Sequence, residues 1–470
     1  MSPTAATRVC QVPAPRDLTV IFKAYDVRGI VPDQLDAQVA RAAGAAFVTV
    51  LGVDRLVTAY DMRESSPVLA AAFAEGATQA GADVVATGLG STDLLYFASG
   101  SLGLAGAMFT ASHNPAQYNG IKMCRPGAAP VGQDTGLTQI RDLTATYLAQ
   151  GIPAGARTGS VTQQDLLGAY ADYLHGLVDL GASRPLRVVV DAGNGMGGFT
   201  VPAVLGGTGD PITVLPMYFE LDGSFPHHEA NPIDPANLVD LVAKVRETGA
   251  DAGLAFDGDA DRCFVVDETG AIVDPSTVTA LVATRELAKH PGATIIYNLI
   301  SSRAVPDIVR EQGGTPVRTR VGHSFIKAEM ARTGAVFGGE HSGHFYFAGF
   351  WNADSGMLAA LHVLAALGAS PDPLSQVLAP YDRYVSSGEI NSEVADQAGR
   401  VAAIETRYAS RASLDHLDGL TIDAWDAEGW WANVRASNTE PLLRLNVEAR
   451  DRATMGPIRD ELLSNIRQEA

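Results

Sequence analysis

The amino-acid sequence predicts an α/β protein made of three similar α/β units and a smaller C-terminal α+β domain. As far as Pro371-Asp-Pro373, apolar residues at helical spacing alternate with short apolar runs of strand length. Polar motifs follow directly on such runs, which is where open α/β sheets place their ligands. Beyond Pro373 the pattern changes to strand-like alternation around a polar loop. A length of 470 residues agrees with about three or four domains.

The first unit, expected over residues 1–158, carries Leu35, Val39, Ala43, Ala46, Phe47 and Val50 at helical spacing after a turn at Pro32-Asp33, then a strand over 56–60. A helix over about 67–80 leads to a strand at 83–87, and 106–110 is a further apolar strand ending at Ser112. The second unit, 159–270, is expected to start with a helix from about 161 to 179, followed by a very apolar strand at 186–190, a glycine-rich turn at 191–198 and another helix. The strand at 252–256 then delivers Asp257. The third unit, 271–378, repeats the design, with strands at 294–297, 316–320 and 335–337 before Gly338-Gly-Glu340. The last domain, 379–470, alternates at 430–435 and 443–447 and closes on a helix from about 453.

The formal charge of −19, from 34 basic against 53 acidic side chains, excludes binding to a nucleic-acid backbone by bulk electrostatics. An anionic ligand would instead need isolated arginines and lysines set beside small polar residues. Cys10, Cys124 and Cys263 are far apart and form no CxxC pair, which disfavours a disulfide scaffold or structural zinc and fits a reducing cytoplasm. The first 17 or so residues read as a frayed leader, and neither a signal segment nor a membrane span is expected.

Four motifs carry chemistry. Thr110-Ala-Ser112-His113-Asn114-Pro115 ends a strand and precedes Gly120-Ile-Lys122. A serine hydroxyl can carry a phosphoryl group if a metal neutralises the phosphate, and His113 and Lys122 are close enough in sequence to manage proton and charge. Alone, this motif reads more readily as an Asn-Pro turn. Asp257-Gly-Asp259-Ala-Asp261-Arg262 is more specific, because carboxylates at alternate positions of a tight loop converge on a hard cation such as Mg²⁺. An EF-hand is excluded, since the sixth position is Arg262 and strands flank the loop. Arg262 either holds a phosphate or pairs with an aspartate. Glu340-His341-Ser342-Gly-His344 suits hydrogen bonding to sugar hydroxyls and acid–base work. Arg435-Ala-Ser437-Asn438-Thr439, between predicted strands, offers a guanidinium fork, two hydroxyls and an amide to a phosphate monoester. His227 and His228 read as loop residues, Cys124 and Cys263 as small buried ones, and Phe345, Phe347, Phe350 and Trp351 as core.

Together with Tyr25-Asp-Val-Arg28-Gly29 near the start, these motifs resemble, in order and spacing, the α-D-phosphohexomutase superfamily, especially its phosphomannomutase and phosphomannomutase/phosphoglucomutase branch. The resemblance covers nearly the whole chain. It implies four domains around a central cleft, the first three sharing a mixed α/β/α design. It also implies a phosphorylated Ser112 that donates to a hexose 1- or 6-phosphate through a hexose 1,6-bisphosphate, with Mg²⁺ held by Ser112, Asp257, Asp259 and Asp261. By the same resemblance, His113, Lys122 and His344 manage protons and charge. Tyr25, Arg28, Arg262, His323, Glu340, Ser342, His344, Arg435, Ser437, Asn438 and Thr439 bind the sugar phosphate.

One departure is visible: several dual-specificity relatives carry a lysine where Ile300 stands here. His341 and His344 favour a mannose-type sugar loop over the glucose-only and glucosamine types. The expectation is therefore a cytoplasmic phosphomannomutase, monomer or homodimer, acting on small sugar phosphates, with mannose preferred and glucose accepted. The alternatives are a glucosamine- or glucose-specific phosphomutase and an aspartyl-phosphate phosphatase whose nucleophile would be Asp257. A non-catalytic sugar-phosphate sensor is a further rival.

Overall fold

A computed structural model of the chain describes residues 17–207, 211–436 and 442–467, without the side chain of His323. Four sheets follow one another along it. The first runs Asp26–Ile30, Tyr118–Arg125, Ala105–Phe109, Arg55–Tyr60, Asp83–Leu89 and Val161–Gln163, with Ala129–Pro130 beside Tyr118–Arg125. Its central strand, Arg55–Tyr60, is parallel to both neighbours, and Tyr118–Arg125 returns antiparallel. The helix Ala37–Leu51 starts where the Asp36 side chain accepts from the Val39 N–H, and it buries its alanine-rich face with Val39 and Phe47.

The second sheet runs Ile272–Val273, Cys263–Asp267, Ala252–Phe256, Leu186–Asp191 and Ile212–Met217. The third runs Thr315–Thr319, Thr294–Asn298, Phe337–Gly339, Phe345–Phe347 and Ala353–Asp354. The fourth is antiparallel, with Leu442–Ala449 and Trp430–Ala436 at its centre and the helices Gln397–Tyr408 and Arg452–Arg467 packed with it. This is the expected class, three mixed α/β units and an α+β domain.

Two expectations are corrected. The helix expected from about 161 is shorter, Leu167–Leu177, and Val161–Gln163 is a strand that pairs with Val84–Ala86 on the edge of the first sheet. Val161 and Thr162 are β-branched, and a sheet edge supplies the backbone partners that the apolar pattern does not reveal. The strand expected at 335–337 instead spans Phe337–Gly339, because its ladder with Ile295–Tyr297 continues through two glycines that carry no side-chain signal.

One contiguous hydrophobic cluster runs from Val57 in the first unit to Leu378 at the end of the third. Within it the helix Gly356–Gly368 is buried on nearly every face, as an all-apolar helix must be. Phe345, Phe347 and Phe350 belong to this core, and Trp351 packs against it. The fourth domain has its own core around Trp430, Val434, Leu445 and Leu462. Its contacts with the third include Arg303 to Asp423 at 3.1 Å, Arg318 to Asp415 at 2.6 Å and the Arg303 N–H to Glu448 at 2.8 Å. Among the described residues, no helix is long and apolar enough to cross a membrane.

Candidate active site

Strand ends of the first three sheets meet at one place. Ser112 follows Ala105–Phe109, Asp257 follows Ala252–Phe256, and Glu340 follows Phe337–Gly339. The Ser112 hydroxyl donates to Asp257 Oδ2 at 2.7 Å and lies 3.1 Å from His113 Nδ1. Ser112 has φ of 51°, a left-handed conformation that costs a non-glycine residue on the order of 1 kcal/mol and must be held from outside. Its N–H is fixed by Thr110 Oγ1 at 2.9 Å.

The loop between the antiparallel strands Ala252–Phe256 and Cys263–Asp267 turns the carboxylates of Asp257, Asp259 and Asp261 inward, all buried. One oxygen from each lies within 4.8 Å of the others. Asp259 Oδ1 and Asp261 Oδ1 are buried without a hydrogen-bond donor, while Lys122 Nζ stands 2.6 Å from Oδ2 of both. Burial pushes the Asp257 carboxyl well above the usual carboxylate range, and Asp261 and Asp259 push it the same way. Burial also opposes the charge on Lys122, but Asp259 and Asp261 outweigh it and hold the ammonium above the usual lysine range. Crowded hard oxygens with two orphaned acceptors fit a divalent cation.

Lys122 and Arg28 reach the site because Asp26–Ile30 pairs with Tyr118–Arg125 in a register that sets Asp26 opposite Lys122 and Arg28 opposite Gly120, on one face. Arg28 donates to Asn114 Oδ1 and to Asp26 Oδ2, each at 2.5 Å. Arg262 bridges two imidazoles, donating from Nη2 to His113 Nδ1 at 2.9 Å and from Nε to His344 Nε2 at 3.2 Å. The Arg262 charge, followed by burial, pulls His113 well below the usual histidine range. Burial, with Arg262 next, pulls His344 down. Because a guanidinium can only donate, His113 Nδ1 and His344 Nε2 both accept from Arg262 and carry no proton there.

On the third unit, Ser342 Oγ lies 2.9 Å from His344 Nδ1, and Glu340 accepts from the Tyr346 hydroxyl at 2.7 Å and the Gly322 N–H at 3.1 Å. Tyr25 sits at the junction of the first and third units, edge-on to Phe325.

Models of the phosphoglucomutase/phosphomannomutase alpha/beta/alpha domains I, II and III match residues 19–150, 168–270 and 274–384, and that of its C-terminal domain matches 389–464. The chain belongs to the phosphoglucomutase/phosphomannomutase family. A phosphomannomutase of Escherichia coli is 38% identical over 454 residues, 95% of this chain and 99% of that protein. A phosphoglucomutase of Neisseria gonorrhoeae is 37% identical over 456 residues, 95% of this chain and 96% of that one. The crystal structure of a phosphoglucomutase/phosphomannomutase family protein from Burkholderia thailandensis matches with a TM-score of 0.86 at 34% identity, covering 96% of this chain and 98% of that one.

For this member of the phosphoglucomutase/phosphomannomutase family, the structure gathers Ser112, His113, Lys122, Asp257, Asp259, Asp261, Arg262 and His344 into one cluster of hydrogen bonds and ion contacts. Arg28 is bonded to Asn114 of the Ser112 loop and to Asp26, and Glu340 and Ser342 extend the cluster through His344. Arg435 is on Trp430–Ala436 and faces Glu389 at 3.4 Å. Ser437, Asn438, Thr439 and the His323 side chain lie outside the described residues. Ile300 is buried and lines a narrow crevice with His341, Trp431 and Glu448. His227 and His228 are loop residues, His227 stacked on Tyr218 and His228 3.0 Å from Asp191.

Reading the sequence missed several contributors. Arg63, wholly buried, donates to the carbonyls of the Ser112 loop. Thr92 donates to Asp259 Oδ2 at 2.5 Å. Lys327 and Asp354 form a buried pair at 2.6 Å, and Asp354 stands in the same acidic group as Asp261 and His344. Asp61-Met-Arg63 at the end of an apolar strand was a signal for the first. Nothing local marked the others.

Proposed function

We propose that the chain is a phosphohexomutase, interconverting hexose 6-phosphate and hexose 1-phosphate with mannose preferred and glucose accepted. The observation that carries this reading is the 2.7 Å bond from Ser112 to Asp257 inside a cluster of carboxylates with orphaned oxygens. Phospho-Ser112 donates to the free hydroxyl of the bound sugar, giving a hexose 1,6-bisphosphate that turns end over end before the second transfer. A divalent cation, Mg²⁺ in this reading, is held by Asp257, Asp259 and Asp261 with the oxygen carried by Ser112, and it supplies neutralisation of the phosphoryl charge. Arg28, Lys122 and Arg262 line the place where charge develops in transfer. His344, neutral and buried, is placed to exchange a proton with a sugar hydroxyl, and His113 orients beside Ser112.

Tyr25, His323, Glu340 and Ser342 read the sugar, while Arg435, Ser437, Asn438 and Thr439 grip the non-reacting phosphate. The separate core of the fourth domain supports closure over the bisphosphate, which keeps water out. X-ray scattering tests this, with a smaller radius of gyration expected on adding the bisphosphate. Localisation in the cytoplasm, as a monomer or homodimer, fits this chemistry.

A coupled assay with mannose 1-phosphate, glucose 1-phosphate and glucosamine 1-phosphate, run beside Ser112→Ala, tests the reading. We expect loss of at least about 10³-fold in kcat for the variant. Full bisphosphate-dependent turnover by Ser112→Ala would sink it. A phosphoenzyme cleaved by hydroxylamine would instead place the phosphoryl group on Asp257.

A further inference from the structure

Arg63 is among the largest fully buried side chains, although it carries a charge. Its terminal nitrogens make four hydrogen bonds, all to main-chain carbonyls between Ser112 and Tyr118, the first residue of the next strand. Nη2 donates to Ser112 O at 2.9 Å and Asn114 O at 2.6 Å, and Nη1 donates to Pro115 O at 3.0 Å and Tyr118 O at 2.9 Å. Its charge is balanced by Asp61, whose Oδ2 lies 3.3 Å from Nε. Converging carbonyls repel one another and would be left buried without donors if the guanidinium were absent. Only a planar fork reaches all four, since an ammonium has three donors at a single point.

The second unit covers this arginine. The Phe225 ring lies 5.0 Å from the guanidinium carbon. Gly223 approaches so closely that a Cβ there would stand 2.6 Å from Arg63 Cα. That turn is tied back through Asp222 N–H to Asn194 O at 3.0 Å, and the neighbouring Met196 N–H reaches Gly258 O, in the aspartate loop, at 2.9 Å.

We propose that Arg63 is a positioning residue that holds Ser112 in its left-handed conformation against Asp257, and that the Gly223–Phe225 turn locks it there. This rests on the reading of Ser112 as the phosphoryl carrier. Arg63 touches no substrate in this scheme, so its loss acts on transfer and leaves sugar binding alone.

The test uses the full-length enzyme with Arg63→Lys and Phe225→Leu, each confirmed folded by circular dichroism. Single-turnover transfer from phospho-Ser112 to hexose phosphate, kcat and KM are measured. We expect transfer and kcat to fall about 10²-fold in Arg63→Lys, the size expected for misplacing a reacting group by about 1 Å, with KM within about threefold. Phe225→Leu should fall in the same direction by about tenfold, again with KM held. A folded Arg63→Lys enzyme that transfers within twofold of the parent overturns the proposal, as does a KM that rises as far as kcat falls. If Arg63→Lys does not fold, an unchanged transfer rate in Phe225→Leu overturns it. Ser112→Ala run in parallel separates the two ideas: if it is inactive while Arg63→Lys is normal, only the role of Arg63 fails.

Discussion

Gly258 packs against Ser112 so closely that a Cβ on Gly258 would stand 2.4 Å from the Ser112 carbonyl oxygen. The Ser112 loop and the aspartate loop, on separate sheets, are thus set in register by the absence of one side chain. Gly258→Ala must push one loop off the other, and because the Ser112–Asp257 bond is only 2.7 Å long the shift falls on the proposed phosphoryl carrier and its partner. We expect kcat to drop about 10²-fold while KM changes little, measured in the coupled assay. A Gly258→Ala enzyme with normal kcat would show that the two loops tolerate being parted.

The buried carboxylates of Asp257, Asp259 and Asp261 repel one another, and Lys122 supplies only one positive charge between two of them. A divalent cation should therefore stabilise the fold, by about 2.7 kcal/mol at a hundredfold excess over Kd. Thermal melts with Mg²⁺ against chelator read this directly. The upward shift should vanish in Asp259→Asn, and chelator should abolish turnover that added Mg²⁺ restores. No shift at millimolar Mg²⁺ would remove the metal from this site.

Lys327 lies 2.6 Å from Asp354, with side-chain exposures of 3% and 4%, and its ammonium sits over the Tyr96 ring at 4.1 Å. Removing one partner of a buried pair costs about 3–5 kcal/mol, whereas replacing both by apolar side chains is often neutral. Lys327→Met should lose stability of that order in urea denaturation. Lys327→Met with Asp354→Leu should recover most of it, and a double variant no better than the single would refute this account.

Asp93 joins three units: Tyr170 of the second and Ser355 of the third each donate to its Oδ2 at 2.7 Å. Burial pushes its carboxyl up to about 6, with Ser91, Ser355 and Tyr170 opposing. A raised folded value means that the native state holds the proton more tightly than the unfolded chain, so this contribution is largest below the unfolded value of 3.8 and is lost as pH rises through about 6. Between pH 5 and 7 the loss should be about 1 kcal/mol. Urea titrations of the parent and Asp93→Asn at both pH values check the sign. The parent should lose more stability than the variant on going from pH 5 to 7, and equal losses would assign the dependence to other groups.

Much of the site was legible because its chemistry is local. Asp257, Asp259 and Asp261 share one tight loop, so alternate carboxylates mark a candidate cation site before any fold is known. The same holds for Glu340, Ser342 and His344. Strands with dense apolar runs, such as Leu186–Asp191 and Ala252–Phe256, were equally plain. Val161–Gln163 and Gly338–Gly339 were not, because a ladder is made by backbone groups on a distant strand and leaves little trace in side-chain pattern.

By itself the sequence determined the α/β class, the order of the motifs and the candidates for phosphoryl carrier, metal carboxylates and phosphate-binding segment. Only the tertiary structure decided that Ser112 meets Asp257, that Lys122 stands between Asp259 and Asp261, and that Arg63 serves four carbonyls while Asp93 ties three units together. Those relations join residues 49 to 262 positions apart. At such separations hydrogen bonding and burial are set by how sheets pack, and packing depends on the whole chain at once.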